Sequence, residues 1–455
     1  MTSTLEIPVW LAVLVGTLGI AGLVDRIVGP SLRWFFRRRV NRAIDDLNDR
    51  LDLKIQPFKL TRRKVLVDRL IYDPEVMAAL EDHVREEGVP RDVAMERVER
   101  YARETVPAFS AFAYFSFGAR IARWISQALF RVRLGYIDDA ALAAMDPEAT
   151  VVFVMNHRSN MDYLLVTYLA AQRSALSYAV GEWARRWPLR PLIRSMGGYF
   201  VRRRDLNPLY RKVLARYVKI ATQAGVTQAV FPEGRLSRDG ALHPPKLGIL
   251  SYVAGDHDAQ AERDVVFVPV ALNYERVIED RTLIAATEEP GQFRLRWYQV
   301  VKYLVRHLQL RVTGRFRRFG YAAVAYGEPL SLHAFAASCG ADPTEALAAE
   351  LMARIEAVLP VLPLPLVAEA LERGATSIPQ VARHLEDRAA ALSPTSHPFH
   401  HASRDAEAVA LIALRMLEVR GILQLSNGTI AIRDDRRALL AFYRRTLPAR
   451  ASIET

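Results

Sequence analysis

The chain has 455 residues, 51% of them hydrophobic and 25% charged, so it can bury a substantial core and is long enough for two or three domains. A single cysteine, Cys339, excludes an internal disulfide framework and a multi-cysteine zinc site. The net charge of +12 favours acidic partners and leaves nucleic acid, an anionic membrane face and phosphorylated substrates all open.

Ile7 to Val24, IPVWLAVLVGTLGIAGLV, is an uncharged run at the short end of what crosses a bilayer. Glu6 stands where a cleaved secretory signal would carry basic residues, and Arg26, Arg33, Arg37, Arg38, Arg39 and Arg42 follow the run. The expectation is an N-terminal membrane anchor over 1–42, its outer end short and the rest of the chain held in the cytoplasm. A buried or interfacial helix is the alternative. Either places the collar from Trp34 to Arg39 at the membrane surface.

Residues 43–133 read as mainly helical. Asp73-Pro74-Glu75 opens a helix that Gly88 stops, and Pro90-Arg91-Asp92 begins another with Val93, Val98 and Ala102 on one face. Val106 to Val132 is crowded with aromatics and is either a second membrane contact or a helix buried between domains. Arg120 and Arg123 favour an interface over a span.

Residues 134–332 alternate strands with helices. Candidate strands are Val151 to Met155, Ala175 to Val180, Gly198 to Val201, Gln228 to Phe231, Val265 to Leu272 and Ala322 to Ala325, and Asn207 to Gln223 is an amphipathic helix. This predicts an α/β fold, a mixed, largely parallel sheet flanked by helices, with sites where strands hand over to loops. The stretch VVFVMNHRSNMDYLL, Val151 to Leu165, is such a handover. Its strand delivers Asn156 and His157 to a sheet edge, and the first turn of the next helix brings Asp162 back towards the His157 ring. An imidazole titrates near neutral pH, and a carboxylate on its other nitrogen fixes the tautomer, so the pair suits a general base. There is no Gly-x-Ser-x-Gly elbow, so no serine nucleophile of that kind is expected. No metal site is expected.

The run NHRSNMDYLL resembles the first signature of the glycerolipid acyltransferases, and its HRS-x-MDYLL form is closest to the glycerol-3-phosphate acyltransferases. Three further segments resemble the remaining signatures in order: Gly197 to Arg203, then Phe231 to Gly234 with Ser237 to Gly240, then Val268 to Glu275. Weaker similarity around Tyr72-Asp73-Pro74 and Gly327-Glu328-Pro329 extends the likeness over most of the chain. The resemblance implies acyl transfer from a thioester to the sn-1 hydroxyl of glycerol 3-phosphate, with His157 as base and Asp162 orienting it. It assigns Arg158, Ser159, Arg202, Arg203, Glu233, Gly234, Ser237, Arg238 and Lys246 to substrate binding, because guanidinium forks match phosphate oxygens. Pro269 and Tyr274-Glu275 are expected to shape the acyl or acceptor channel. The donor is acyl-CoA or acyl-carrier protein, with no cofactor besides, and the partners are membrane lipid and these substrates. Dihydroxyacetone-phosphate and lysophosphatidate acylation are the neighbouring alternatives. One departure stands out: the third signature usually carries an arginine directly before Ser-Arg, and here that position is Leu236, with Arg235 one place earlier.

The arm Arg294 to Arg318 sets basic residues among aromatics and reads as a surface for lipid, an acidic carrier or CoA phosphates, or as a solvated basic face. After Leu332 the chain becomes helical, and the proline-rich VLPVLPLPL from Val358 to Leu366 closes a junction over 333–366. Residues 367–455 form a C-terminal domain of helices and a hairpin around Ser426 to Thr429. A winged-helix nucleic-acid module has this order, but the hairpin lacks the basic residues that phosphate contacts need, so no nucleic acid is expected.

Overall fold

The computed structural model describes residues 53–135, 139–171, 174–185, 189–202, 207–255, 263–288, 309, 313, 318–339, 343–391, 405–426 and 428–448. The run Ile7 to Val24, its basic collar, Arg203 and most of the arm Arg294 to Arg318 lie outside them. Among the described residues no helix is long and apolar enough to cross a membrane. From Ile55 onward the chain forms one compact unit.

The order begins with helices α1 (Pro57–Leu60), α2 (Arg63–Ile71), α3 (Pro74–Glu87) and α4 (Arg91–Thr105). Their limits follow local chemistry: Asp73 accepts from the Glu75 amide, Pro74 occupies the first turn of α3, and Gly88 takes the left-handed cap at φ 63°. A π-helical stretch, Ala113–Gly118, leads into α5 (Ala119–Leu129). The α/β region then runs β1 (Arg131–Leu134), α6 (Asp139–Ala143), β2 (Thr150–Met155), α7 (Asp162–Ala170), β3 (Ser177–Gly181), α8 (Leu189–Ser195), β4 (Gly198–Val201) and α9 (Pro208–Gln223). It continues through β5 (Gln228–Val230), α10 (Gly248–Ala254), β6 (Val265–Tyr274), α11 (Asp280–Glu288), β7 (Tyr321–Tyr326) and β8 (Leu330–Ser331). The last elements are α12 (Leu332–Cys339), α13 (Thr344–Ala357), α14 (Pro363–Glu372), α15 (Ile378–Ala391), α16 (Ala406–Val419), the hairpin β9 (Leu423–Ser426) and β10 (Thr429–Ile432), and α17 (Arg437–Arg444).

The sheet order is β1-β7-β6-β2-β5-β3-β4, with β8 added along β6. It is mixed and largely parallel: only the β6 pairings with β7 and β8 are antiparallel. Strand β2 lies between β5 and β6, Val154 facing Val230 on one side and Pro269 on the other. All six of its residues are buried, which is why it reads as a continuous apolar run. Val152 and Val154 pack with Val213 and Tyr217 of α9, Leu250 of α10 and Leu351 of α13, with α3 and α4 lying behind α9. Helix α5 packs along α7.

Three differences from the sequence-based expectation have physical reasons. The segment Val106 to Val132 is not one helix, because it ends in β1, an edge strand hidden in the sequence by its alternating Arg131 and Arg133. Phe112, Phe117 and Trp124 are 75%, 56% and 65% exposed, so the segment is not buried between domains either. The proline-rich junction opens α14, whose first nine residues are all buried. Prolines at 363 and 365 fall in the first turn, where the missing N–H groups have no helical partner anyway.

Candidate active site

Strand β2 ends at Met155, and its parallel setting points the next residues out of the sheet's carboxyl edge. Asn156 is the hinge: its side chain donates to the Leu272 carbonyl at 2.9 Å and accepts from the Leu272 amide at 2.7 Å, pinning the loop to β6. His157 Nδ1 then meets Asp162 Oδ2 at 2.9 Å, with both side chains buried. The same oxygen accepts from the backbone amides of Arg158 at 2.7 Å and Ser159 at 3.0 Å. An oxygen taking two N–H groups is an acceptor, so Nδ1 carries the proton and Nε2 is the basic nitrogen.

The second carboxylate oxygen is also held. Tyr274, at the end of β6, donates its hydroxyl to Asp162 Oδ1 at 2.7 Å. Burial, then the Asp162 charge, keeps the Tyr274 hydroxyl well above its ordinary pKa, so it stays a donor. Tyr274, expected to shape a channel, orients the carboxylate that orients the histidine. The His157 ring leans on Phe231, centroids 4.2 Å apart, and meets Tyr163 edge-on at 5.5 Å.

Glu233 and Glu279 clamp the loop from its two sides. Glu233 accepts from the His157 amide at 2.9 Å and the His243 amide at 3.1 Å. Glu279 accepts from the Ser159 hydroxyl at 2.8 Å and from the Asn160 amide and side chain at 3.2 and 3.1 Å. Burial raises both carboxyls above their usual range, opposed at Glu233 by the Arg158 charge and at Glu279 by the Ser159 and Asn160 hydrogen bonds. Sequence reasoning missed Glu279 altogether, since it joins the site across 119 and 120 residues and belongs to no motif.

Arg158 is buried beneath the loop, donating Nη1 to the Gly240 carbonyl, while Nε and Nη2 have no hydrogen-bond partner among the described residues. Burial lowers its pKa, against the opposing charges of Glu233, Asp162 and Asp239. Ser237 donates its amide to the His157 carbonyl at 2.9 Å and its hydroxyl to the Ala241 carbonyl at 2.8 Å. Gly234 sits at φ 67°, with the stem of Lys246 over its α-carbon. Arg235 and Lys246 are exposed, and Arg238 donates to the Ala286 carbonyl at 3.0 Å.

Thus His157, Asp162, Arg158, Ser159, Glu233 and Ser237 are gathered in one network, with Gly234, Arg238 and Lys246 on the adjoining loop. Arg202 stands apart at the end of β4, where its guanidinium lies 2.8 Å from Glu104 and 4.8 Å from the Tyr101 ring centroid. Among the described residues no group of His, Cys, Asp or Glu has the arrangement of a metal site.

Comparison with known families bears on what this network is for. A family model described as Acyltransferase matches residues 139–273, which carry β2, the His157 loop and β6. A second, described as the glycerol-3-phosphate acyltransferase C-terminal region, matches residues 309–447. Over these two regions the chain is similar to the glycerol-3-phosphate acyltransferases. A glycerol-3-phosphate acyltransferase of Aeromonas hydrophila is 29% identical over 279 residues, covering 60% of this chain and 33% of the relative. One from Pseudomonas fluorescens is 26% identical over 412 residues, covering 85% of this chain and 48% of the relative. The chain therefore spans a third to a half of the length of these relatives. The crystal structure of a 1-acyl-sn-glycerophosphate acyltransferase from Thermotoga maritima aligns over 64% of this chain and 98% of its own, with 17% identity and a TM-score of 0.30.

Proposed function

We propose that this chain transfers a fatty acyl group from an acyl thioester to the sn-1 hydroxyl of glycerol 3-phosphate, giving lysophosphatidate, the first step of phospholipid synthesis. The observation that carries this reading is the 2.9 Å contact of His157 Nδ1 with Asp162 Oδ2 at the carboxyl edge of β2. It leaves Nε2 to take the acceptor's proton as the hydroxyl oxygen adds to the thioester carbonyl. The tetrahedral intermediate then collapses with loss of the thiolate, which receives that proton from the imidazolium. Direct attack is favoured over an acyl-enzyme, because the nearby Ser159 and Ser237 hydroxyls already donate to Glu279 and to the Ala241 carbonyl.

Arg235, Arg238 and Lys246 on the loop after Glu233, together with Arg203, supply the cations for the acceptor phosphate. Arg235 takes the place left by Leu236. Arg202, tied to Glu104, is held away from the phosphate. Acyl-CoA and acyl-carrier protein are the two donor classes, and no further cofactor enters the scheme. The chain works at the cytoplasmic face of the cell membrane, where its product is a lipid.

The test is incorporation of radiolabelled glycerol 3-phosphate into lipid by membranes carrying the chain, with both donors in parallel. Lysophosphatidate should form and should disappear in His157→Ala while the protein stays folded. Turnover retained in His157→Ala would remove the base; no incorporation with either donor would remove the acceptor.

A further inference from the structure

The C-terminal elements touch the catalytic loop through two adjacent carboxylates. Glu279 holds Ser159 and Asn160, as described above. The next residue, Asp280, is turned the other way and is buried: its carboxylate receives the Arg420 guanidinium from the end of α16 and the Tyr443 hydroxyl from α17. Arg420 Nη1 also donates to the Tyr443 hydroxyl at 2.6 Å, and Arg281 donates to the Arg420 carbonyl at 3.0 Å. Two elements 140 and 163 residues further along the chain thus converge on Asp280, back to back with the carboxylate that fixes the loop.

A second route reaches the same loop. Gly240, at φ 90°, lies so close to the Phe442 carbonyl of α17 that a Cβ there would overlap the oxygen. The Gly240 carbonyl takes the Arg158 guanidinium, and Arg158 is the residue after His157. Arg445 lies 4.0 Å from Asp239, one position before Gly240. Helix α17 therefore backs both the Glu279 side and the Gly240 side of the loop. A buried ion pair with a shared hydroxyl is a costly way to fasten one helix, since apolar packing would do as well or better, whereas a polar cluster defines one docking position.

We propose that Arg420 and Tyr443 are positioning residues for acyl transfer: docking of α17 on Asp280 sets Glu279, and Glu279 sets the loop that presents His157. This rests on the acyl-transfer reading of His157, but its first readout does not need activity. Hydrogen exchange of the 157–160 amides reports the loop directly, because these groups are held by Glu233, Asp162 and Glu279. In the full chain, Tyr443→Phe and Arg420→Gln should speed exchange at 157–160 about tenfold while β6 stays protected. Arg420→Lys should recover part of the protection, and Arg444→Ala, whose contact with Glu372 faces away from the loop, should leave it unchanged.

In turnover, the same two variants should lower kcat about tenfold with KM for the donor nearly unchanged, since a displaced base slows chemistry before it weakens binding. The double variant Tyr443→Phe/Glu279→Gln should be no slower than Glu279→Gln alone, because both changes cut one chain of contacts. Unchanged exchange at 157–160 overturns the proposal. So does exchange that rises equally in β6, or a double variant whose losses multiply. A chain with no transfer activity would defeat the function proposed above, and the exchange result would still decide the coupling.

Discussion

At the scale of single residues, the notable group is Asp162, whose two oxygens accept from four donors: the His157 ring, two loop amides and the Tyr274 hydroxyl. The amides fix the carboxylate's position, and Tyr274 fixes its rotation about the Cβ–Cγ bond. Tyr274→Phe keeps the ring in its buried place and removes only the Oδ1 donor, so the carboxylate gains freedom to turn from Nδ1. Transfer should slow about tenfold, and stability should fall by about 1.5–3 kcal/mol, the usual cost of losing a buried hydrogen bond to a charged group. Initial rates and the denaturant midpoint measure the two separately; full activity would show that the amides alone align Asp162. The His157 and Asp162 pairing was legible because both residues lie five positions apart, directly after an apolar strand and at the start of a helix. Tyr274 and Glu279 were not, because their contacts close across 112 to 120 residues and depend on sheet order, which local pattern does not carry.

Among the secondary-structure elements, the central strands and the β4 edge were readable and the β1 edge was not. Strands β2, β6 and β7 are buried along their whole length and appear as apolar runs, whereas the exposed arginines of β1 disguise a strand that pairs with β7 over four residues. Where β6 hands over to its loop, Glu275 is buried and accepts from the Tyr321 amide at 2.8 Å, at the start of β7. Burial raises its pKa to about 7, opposed by backbone hydrogen bonds from Tyr321 and Leu364 and by the Arg131 charge. A carboxyl whose folded value is raised binds a proton more readily folded than unfolded. Its contribution to stability is complete below the unfolded value of 4.5 and is lost as pH rises through about 7. Glu275→Gln can accept the same hydrogen bond without ionising. Relative to the unsubstituted chain, its melting temperature should therefore improve steadily as pH is raised from 5 to 8, checked by paired melts across that range. A difference that stays constant with pH would mean that Glu275 does not ionise within the fold over that interval.

For the whole molecule, we propose one stretch of exposed cations and aromatics as the face on which lipid would be met. No Asp or Glu occurs between Glu104 and Asp138, and within that stretch Arg120, Arg123, Arg131 and Arg133 are exposed, as are Phe112, Phe117 and Trp124. Three large exposed aromatics among cations and no anions suit an anionic bilayer, where rings enter the headgroup layer and each arginine near the surface adds about 1 kcal/mol. The position matters for the proposed reaction, because α5 packs along α7, the helix that begins at Asp162. A bilayer seated there would stand one helix away from the base. Placing a polarity-sensitive fluorophore at Phe117→Cys, in a chain whose Cys339 is replaced by serine, reads this contact locally whatever holds the rest of the protein to the membrane. Emission should shift to the blue with phosphatidylglycerol-rich vesicles, less with neutral ones, and the shift should weaken in Arg120→Glu/Arg123→Glu. The same label at Val419→Cys, an exposed site on α16, serves as the comparison and should not move. Equal shifts at both sites, or none at 117, would place the membrane contact on another part of the chain.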